Sequence, residues 1–210
     1  MNVSFSQREL KDLGIAWLAL GVAFAVFINR SLLRALTAGQ APDVAELISV
    51  VVLSLLTAGI GFLLHELAHK VVAIRFGQIA EFRADYNMLF LAIVGALAGF
   101  LFAAPGAVHH RGRITERENG LIALAGPVTN IGLAALFFVL GIVGLLADVG
   151  GFVLQAANLG LYINLLLAGF NMIPFGPLDG TKVLAWNKAV YAAVAVPSVG
   201  LALLVLFGGI

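Results

Sequence analysis

The feature that most limits the fold of this chain is an uncharged apolar run that ends in ionisable side chains. Residues 47–64 are eighteen residues without a charge; His65, Glu66 and His69 follow at once, and residues 71–74 are apolar again. Eighteen residues is the length at which an apolar stretch becomes a candidate membrane helix. Ionisable groups inside such a stretch are costly, so their presence points to function. The rest of the chain agrees with a bilayer setting. Of its 210 residues 61% are hydrophobic and 11% charged, against about 25% charged in soluble domains. The length suits one compact membrane-embedded domain, 1–210, with no room for a separate soluble domain.

Several function classes fall away on composition. A formal net charge of +1 argues against a nucleic-acid partner. There are no cysteines, which removes disulfides and thiolate ligands. Any metal must be held by histidine and carboxylate. His65 and His69 are four residues apart, so on a helix they share a face one turn apart. Two imidazoles can then converge on one ion, with Glu66 beside them to handle a proton. This is the H-E-x-x-H arrangement of zinc hydrolases.

The chain reads as an all-α polytopic membrane protein of about five to six transmembrane segments. Residues 1–12 mix Arg8 and Lys11 with Glu9 and Asp12. The apolar run from Leu13 passes Ile28, which fits a retained helix over 13–36 better than a cleaved signal. A second helix is expected over 44–76, started by Pro42 and Asp43. Residues 77–88 alternate polar and apolar positions, and that period of two predicts a short interfacial strand or hairpin. The apolar stretch Leu89–Ala104 is only sixteen residues long and contains Gly95 and Gly99. It is short for a span and suits a re-entrant segment. Residues 105–120 read as a polar, basic loop. Further segments are expected at 121–147, 152–173 and 189–210.

The distribution of Lys and Arg selects a topology. If 89–104 does not cross and the N-terminus is cytoplasmic, ten of the twelve lie inside, with only Arg30 and Arg34 outside. If it does cross, the split is five inside and seven outside. The positive-inside rule favours the first arrangement. His69 then lies ~9 Å, and His65 ~15 Å, from the cytoplasmic end of its helix at Arg75. The end of the segment at 152–173 comes to the same side.

A catalytic zinc site has three protein ligands and an open position, so two histidines need a partner. Of five aspartates, Asp179 follows an apolar, Asn-lined helix at the matching depth. Pro174 and Pro177 break that helix and can turn Asp179 toward the bundle. Taken alone, Asp179-Gly180 also reads as a turn pair.

The pattern resembles the site-2 proteases, which are intramembrane zinc metalloproteases. The resemblance lies in His65-Glu66-x-x-His69, in Ala125-Gly126-Pro127-x-x-Asn130, and in Asn171-x-x-Pro174-x-x-Pro177-Leu178-Asp179-Gly180. These motifs stand in the order of the family's three core helices and cover a core of 44–180. The resemblance implies one Zn2+ held by His65, His69 and Asp179, with Glu66 as the catalytic glutamate. It also implies that Asn171 holds substrate or oxyanion. Thr181 departs from the pattern, where a second glycine often stands. The implied activity is hydrolysis of membrane-spanning proteins or peptides near the cytoplasmic face, in a prokaryotic cell membrane.

Other readings compete at single positions. Asn130 is equally an active-site residue or a helix-packing one, and Asn164 reads as structural. His109 and His110 read as solvated interfacial residues, and Arg111, Arg113 and Arg117 with Glu116 and Glu118 as a face near headgroups. Glu116 or Glu118 could complete a different type of zinc protease, although both fall in the expected loop. A membrane metal transporter or metal-stabilised scaffold is the non-enzymatic alternative, and it has no special need for Glu66.

Overall fold

The computed structural model of the chain describes residues 3–29, 38, 39, 41, 43–100 and 106–207. Among these, five helices are long and apolar enough to cross a membrane. They are α1 (Gln7–Ile28), α2 (Val44–Arg75), α4 (Glu116–Leu146), α5 (Gly151–Asn171) and α7 (Lys188–Phe207). Between them lie β1 (Ile79–Ala84), α3 (Tyr86–Leu97), β2 (Gly106–Arg111) and α6 (Asp179–Trp186). The protein is an all-α membrane bundle carrying one small antiparallel sheet.

The first helix starts six residues earlier than its apolar run. Ser6 caps it, its hydroxyl accepting the Glu9 N–H at 3.1 Å. Two charges that precede the expected helix lie inside the observed one, and both Glu9 and Asp12 are buried. The expected end at residue 36 lies outside the described residues.

The second helix contains a wide π-helical turn at Leu55–Gly59, just ahead of the histidines. Such turns insert a residue into the helical register and recur at functional sites. Trp17 of α1 and Gly59 of the turn itself shape it. The Trp17 indole N–H donates to the Leu55 carbonyl at 3.0 Å. Gly59 leaves room for that ring, since a Cβ there would lie 2.5 Å from Trp17.

The predicted strand is present as β1, and its partner is a surprise. β2 occupies part of the stretch expected as a basic loop, with Ala84 opposite Gly106 and Ile79 opposite Arg111. Residues 107–110 are too short and too mixed to announce a strand on their own; pairing with β1 makes one. The loop reading also fails for Glu116 and Glu118, which lie in the first turn of α4. There Glu118 and Thr115 form a reciprocal capping box.

The register settles the course of the segment between the strands. Because Ala84 and Gly106 are neighbours, the chain leaves and returns at one level. The twelve residues of α3 rise ~18 Å, short of the ~30 Å apolar core of a bilayer. Over the described residues this agrees with the re-entrant reading; residues 101–105 of the expected 89–104 lie outside the described residues.

Phe82 anchors the sheet. It is buried, packs with Leu13, Leu20 and Leu89, and meets the Phe62 ring edge-on at 5.8 Å. The sheet, the C-terminal part of α2, the start of α4 and the turn after α5 therefore gather at one end of the bundle.

Gly59→Ala should force the Trp17 ring to move and cost about 1–3 kcal/mol, the usual penalty of overpacking. Thermal unfolding in detergent measures this, and an unchanged midpoint would contradict the packing described for the π turn.

Candidate metal centre

Three side chains from two distant parts of the chain meet in the interior. His65 Nε2 and His69 Nε2 are 3.0 Å apart, and Asp179 Oδ2 lies 3.3 Å from the first and 3.2 Å from the second. All three residues are buried. The separations can be checked against metal geometry. Ligands ~2.0 Å from a tetrahedral zinc stand about 3.3 Å from one another. The triangle already has nearly that size.

Hydrogen bonds on the far side of each ring decide what faces the triangle. His69 Nδ1 lies 2.7 Å from the Ile122 carbonyl, which can only accept, so Nδ1 carries the proton. His65 Nδ1 lies 2.6 Å from Asn130 Oδ1. The Asn130 amide is oriented by its own NH2, which donates to the Gly61 carbonyl at 3.2 Å and to Asn164 Oδ1 at 2.8 Å. Asn164 in turn donates to the Gly160 carbonyl at 2.8 Å. Backbone carbonyls thus fix both tautomers, and both Nε2 atoms present lone pairs. Two lone pairs and a carboxylate oxygen converge with no hydrogen among them. They repel unless a cation stands between, so the donor set fits zinc by chemistry as well as size.

The neighbours leave room for an ion. Gly126 of α4 faces the imidazoles, and a Cβ there would lie 2.5 Å from both Nε2 atoms. Asp179 is delivered by the turn after α5. That turn uses Gly176 at φ +58°, and α6 packs back through Gly180, whose Cβ would fall 2.3 Å from the Met172 carbonyl. Thr181, at the departure from the family pattern, is exposed. Lys182 Nζ sits 3.8 Å from Asp179 Oδ1, the carboxylate oxygen turned away from the histidines.

A cavity of about 140 Å³ opens in front of the triangle. Glu66 lines it and is buried, with Oε2 lacking any protein partner. The Val108 backbone N–H of β2 faces this carboxylate. Asn171 lines the same cavity, with its side-chain N–H donating to the Leu167 carbonyl at 2.9 Å. Leu20, Phe24 and Phe62 form an apolar wall.

The structure separates residues that the sequence left together. His110 lines the cavity, while His109 is exposed. Burial first, then the positive charge of Lys182, holds the His110 imidazole below its ordinary pKa. Glu118 is committed to its helix cap, and neither it nor Glu116 joins the only His/Asp/Glu cluster with metal-ligand spacing among the described residues. Sequence reasoning missed Ile122, Lys182 and Val108. A backbone carbonyl and a backbone N–H leave no mark on residue type, and Lys182 entered only the count of Lys and Arg.

Two substitutions probe this geometry. Gly126→Ala should place a methyl group where an ion would sit and abolish stoichiometric zinc. Asn130→Ala should lower zinc affinity roughly 10–100-fold by releasing the His65 ring. Metal analysis of the purified variants after dialysis checks both, and full zinc retention by Gly126→Ala would contradict the placement of the ion.

No family model matches the chain, and no solved structure does. Curated relatives do. MJ0611 of Methanocaldococcus jannaschii, provisionally named a zinc metalloprotease, is 42% identical over 97% of this chain and 97% of its own. YwhC of Bacillus subtilis, with the same provisional name, is 34% identical over 61% of this chain and 66% of its own length. Rip3 of Mycobacterium tuberculosis, likewise so named, is 33% identical over 58% of this chain, but that match spans only 27% of Rip3. Near-complete overlap at this identity joins the sequence motifs to the geometry: the chain belongs to the site-2 protease family of zinc metalloproteases.

Proposed function

We propose that this protein hydrolyses peptide bonds of membrane-spanning substrates close to the cytoplasmic face, as a single membrane-embedded protease domain. The observation that carries the reading is the set of three acceptor atoms at zinc spacing, with a buried glutamate in the same cavity whose Oε2 has no protein partner. In this reading His65, His69 and Asp179 hold the ion. Zinc supplies Lewis acidity, which brings the pKa of water toward ~7 and polarises a scissile carbonyl.

The remaining steps belong to the chain itself. Glu66 accepts the proton of the attacking water and passes it to the leaving amine, and the vacant Oε2 is placed for this. Asn171 has a second amide N–H beyond the one given to Leu167, and it is available to the developing oxyanion or to substrate backbone. Asn130 and the Ile122 carbonyl keep the imidazoles oriented. Lys182 holds the outer oxygen of Asp179.

Substrate presentation follows from two surfaces. An apolar groove of about 290 Å³ runs between α1, α5 and α7, and it shares Phe24 and Leu167 with the cavity. This gives an apolar segment a lateral path from lipid to site. The second surface is β2, whose outer edge lines the cavity. A substrate helix must unwind to be cut, and an extended segment can regain backbone hydrogen bonds by adding to a strand edge. The Lys and Arg distribution supports a cytoplasmic N-terminus and a site on that side.

Glu66→Gln should bind one zinc per chain and lose cleavage of a membrane-peptide substrate by at least about 10³-fold, as expected for loss of the general base in a site that depends on it. Asp179→Ala should lose the metal, while Glu116→Ala and Glu118→Ala keep it. Chelation should abolish wild-type cleavage and added zinc restore it. Full proteolysis by Glu66→Gln, or zinc transport without cleavage by the wild type, would defeat the proposal.

A further inference from the structure

A buried ion pair next to the site has no part in the chemistry just described. Lys70 and Glu9 are each 1% exposed, and Lys70 Nζ donates to Glu9 Oε2 at 2.5 Å. The ammonium also donates to the Ser4 carbonyl at 2.6 Å and sits 3.9 Å from the centre of the Phe5 ring. The second oxygen of Glu9 does something else. Oε1 accepts the Phe82 N–H of β1 at 3.0 Å.

That bond fixes the orientation of both strands. In an antiparallel pair, residues alternate between those bonded to the partner strand and those pointing away. Phe82 donates to Glu9, so its N–H points away from β2. Its register partner is Val108, and the Val108 N–H therefore also points outward, on the other side of the sheet. There it meets Glu66. One turn further along α1, Asp12 Oδ2 accepts the Ala84 N–H at 3.5 Å, the next outward group of β1. Two carboxylates of α1 thus occupy the outer edge of β1, and the free edge of the sheet is the one on the cavity.

The contacts close a ring. Glu66 and Lys70 are four apart on α2, on one face and ~6 Å along the axis. Lys70 holds Glu9, Glu9 holds Phe82, Phe82 stands opposite Val108, and Val108 faces Glu66. We propose that Glu9, held in place by Lys70, is a positioning residue that sets the distance between Glu66 and the free edge of β2. This rests on the protease reading above. A displacement of ~1 Å at such a site is enough for about 10²-fold in rate.

Removing only one member of the pair would strand a buried charge, so the test uses two double variants of the full chain. Glu9→Gln with Lys70→Met deletes both charges and keeps an oxygen for the Phe82 N–H. Glu9→Leu with Lys70→Met deletes both charges and the acceptor. Each is measured for zinc content, for kcat and KM on a membrane-peptide substrate in detergent, and for amide exchange over residues 106–111. The leucine variant should keep one zinc, lose roughly 10–100-fold in kcat, and exchange faster over β2. The glutamine variant should stay within about threefold of wild type in both readouts. Equal behaviour of the two variants, whether both normal or both impaired, would overturn the proposal, because the acceptor would then be irrelevant. If wild type cleaves nothing, the protease reading fails, and the exchange comparison still decides whether Glu9 positions the strand. Should the leucine variant not fold, loss of β2 protection in the folded glutamine variant would overturn the proposal and its retention would support it.

Discussion

Three atoms stand within 3.0–3.3 Å of each other at His65, His69 and Asp179, and in the tautomers set by Asn130 and the Ile122 carbonyl all three are acceptors. In water such a cluster would relax apart. Here it cannot, because each group is tied from behind by backbone carbonyls, a helix turn or a tight glycine contact. Much of the bundle reads as the means of enforcing this arrangement. The π turn, Trp17 and Gly59 set the phase of α2 just before the histidines. Asn130 and Asn164 carry polarity across three helices in a chain that begins and ends on backbone carbonyls. Such chains satisfy every polar group in a bilayer, where no water is available to do so. A cation is the one component that turns the repulsion into binding.

Polarity of this kind explains which parts of the molecule were legible in the sequence. The helices were, because eighteen or more apolar residues in a row have few alternatives. Their starts were less so. Glu9 and Asp12 fell ahead of the helix expected from residue 13, yet the structure buries both within α1, because Lys70, the Tyr86 hydroxyl and the outward N–H groups of β1 supply their partners. Whether a carboxylate is buried depends on a partner sixty or more residues away, and composition carries no such information. β2 was hidden for a related reason. Its stretch of Ala107, Val108, His109 and His110 gains strand structure from pairing with β1 rather than from its own pattern.

The site divides in the same way. His65, Glu66 and His69 share one helical turn, so local spacing announces them. Asp179 was recoverable by depth, by the broken helix before it and by family resemblance, and the turn through Gly176 and Gly180 brings it in. Asn130 was undecided between packing and active-site roles, and its contacts show why: it ties α4 to α2 and α5 and also bonds His65 Nδ1. Gly126 stood in a motif without a reason. The reason is a missing atom, since a methyl group there would occupy the space between the imidazoles and any ion.

The small sheet makes the strongest demand on the fold. An unpaired strand edge inside an apolar bundle leaves backbone groups unsatisfied, and that cost is normally avoided by covering both edges. This protein covers one edge with Glu9 and Asp12 and leaves the other against the cavity, where Glu66 meets only part of its capacity. Covering both would have been the more stable solution. Leaving one open is intelligible if an extended peptide takes it up, because the bonds lost when a substrate helix unwinds are then replaced at the place where its carbonyl must meet the metal. The buried Lys70–Glu9 pair follows the same logic. Apolar residues could fill its volume and replace the ion pair, but they would leave the Phe82 N–H without an acceptor; only a carboxylate can bind an ammonium with one oxygen and hold a strand with the other.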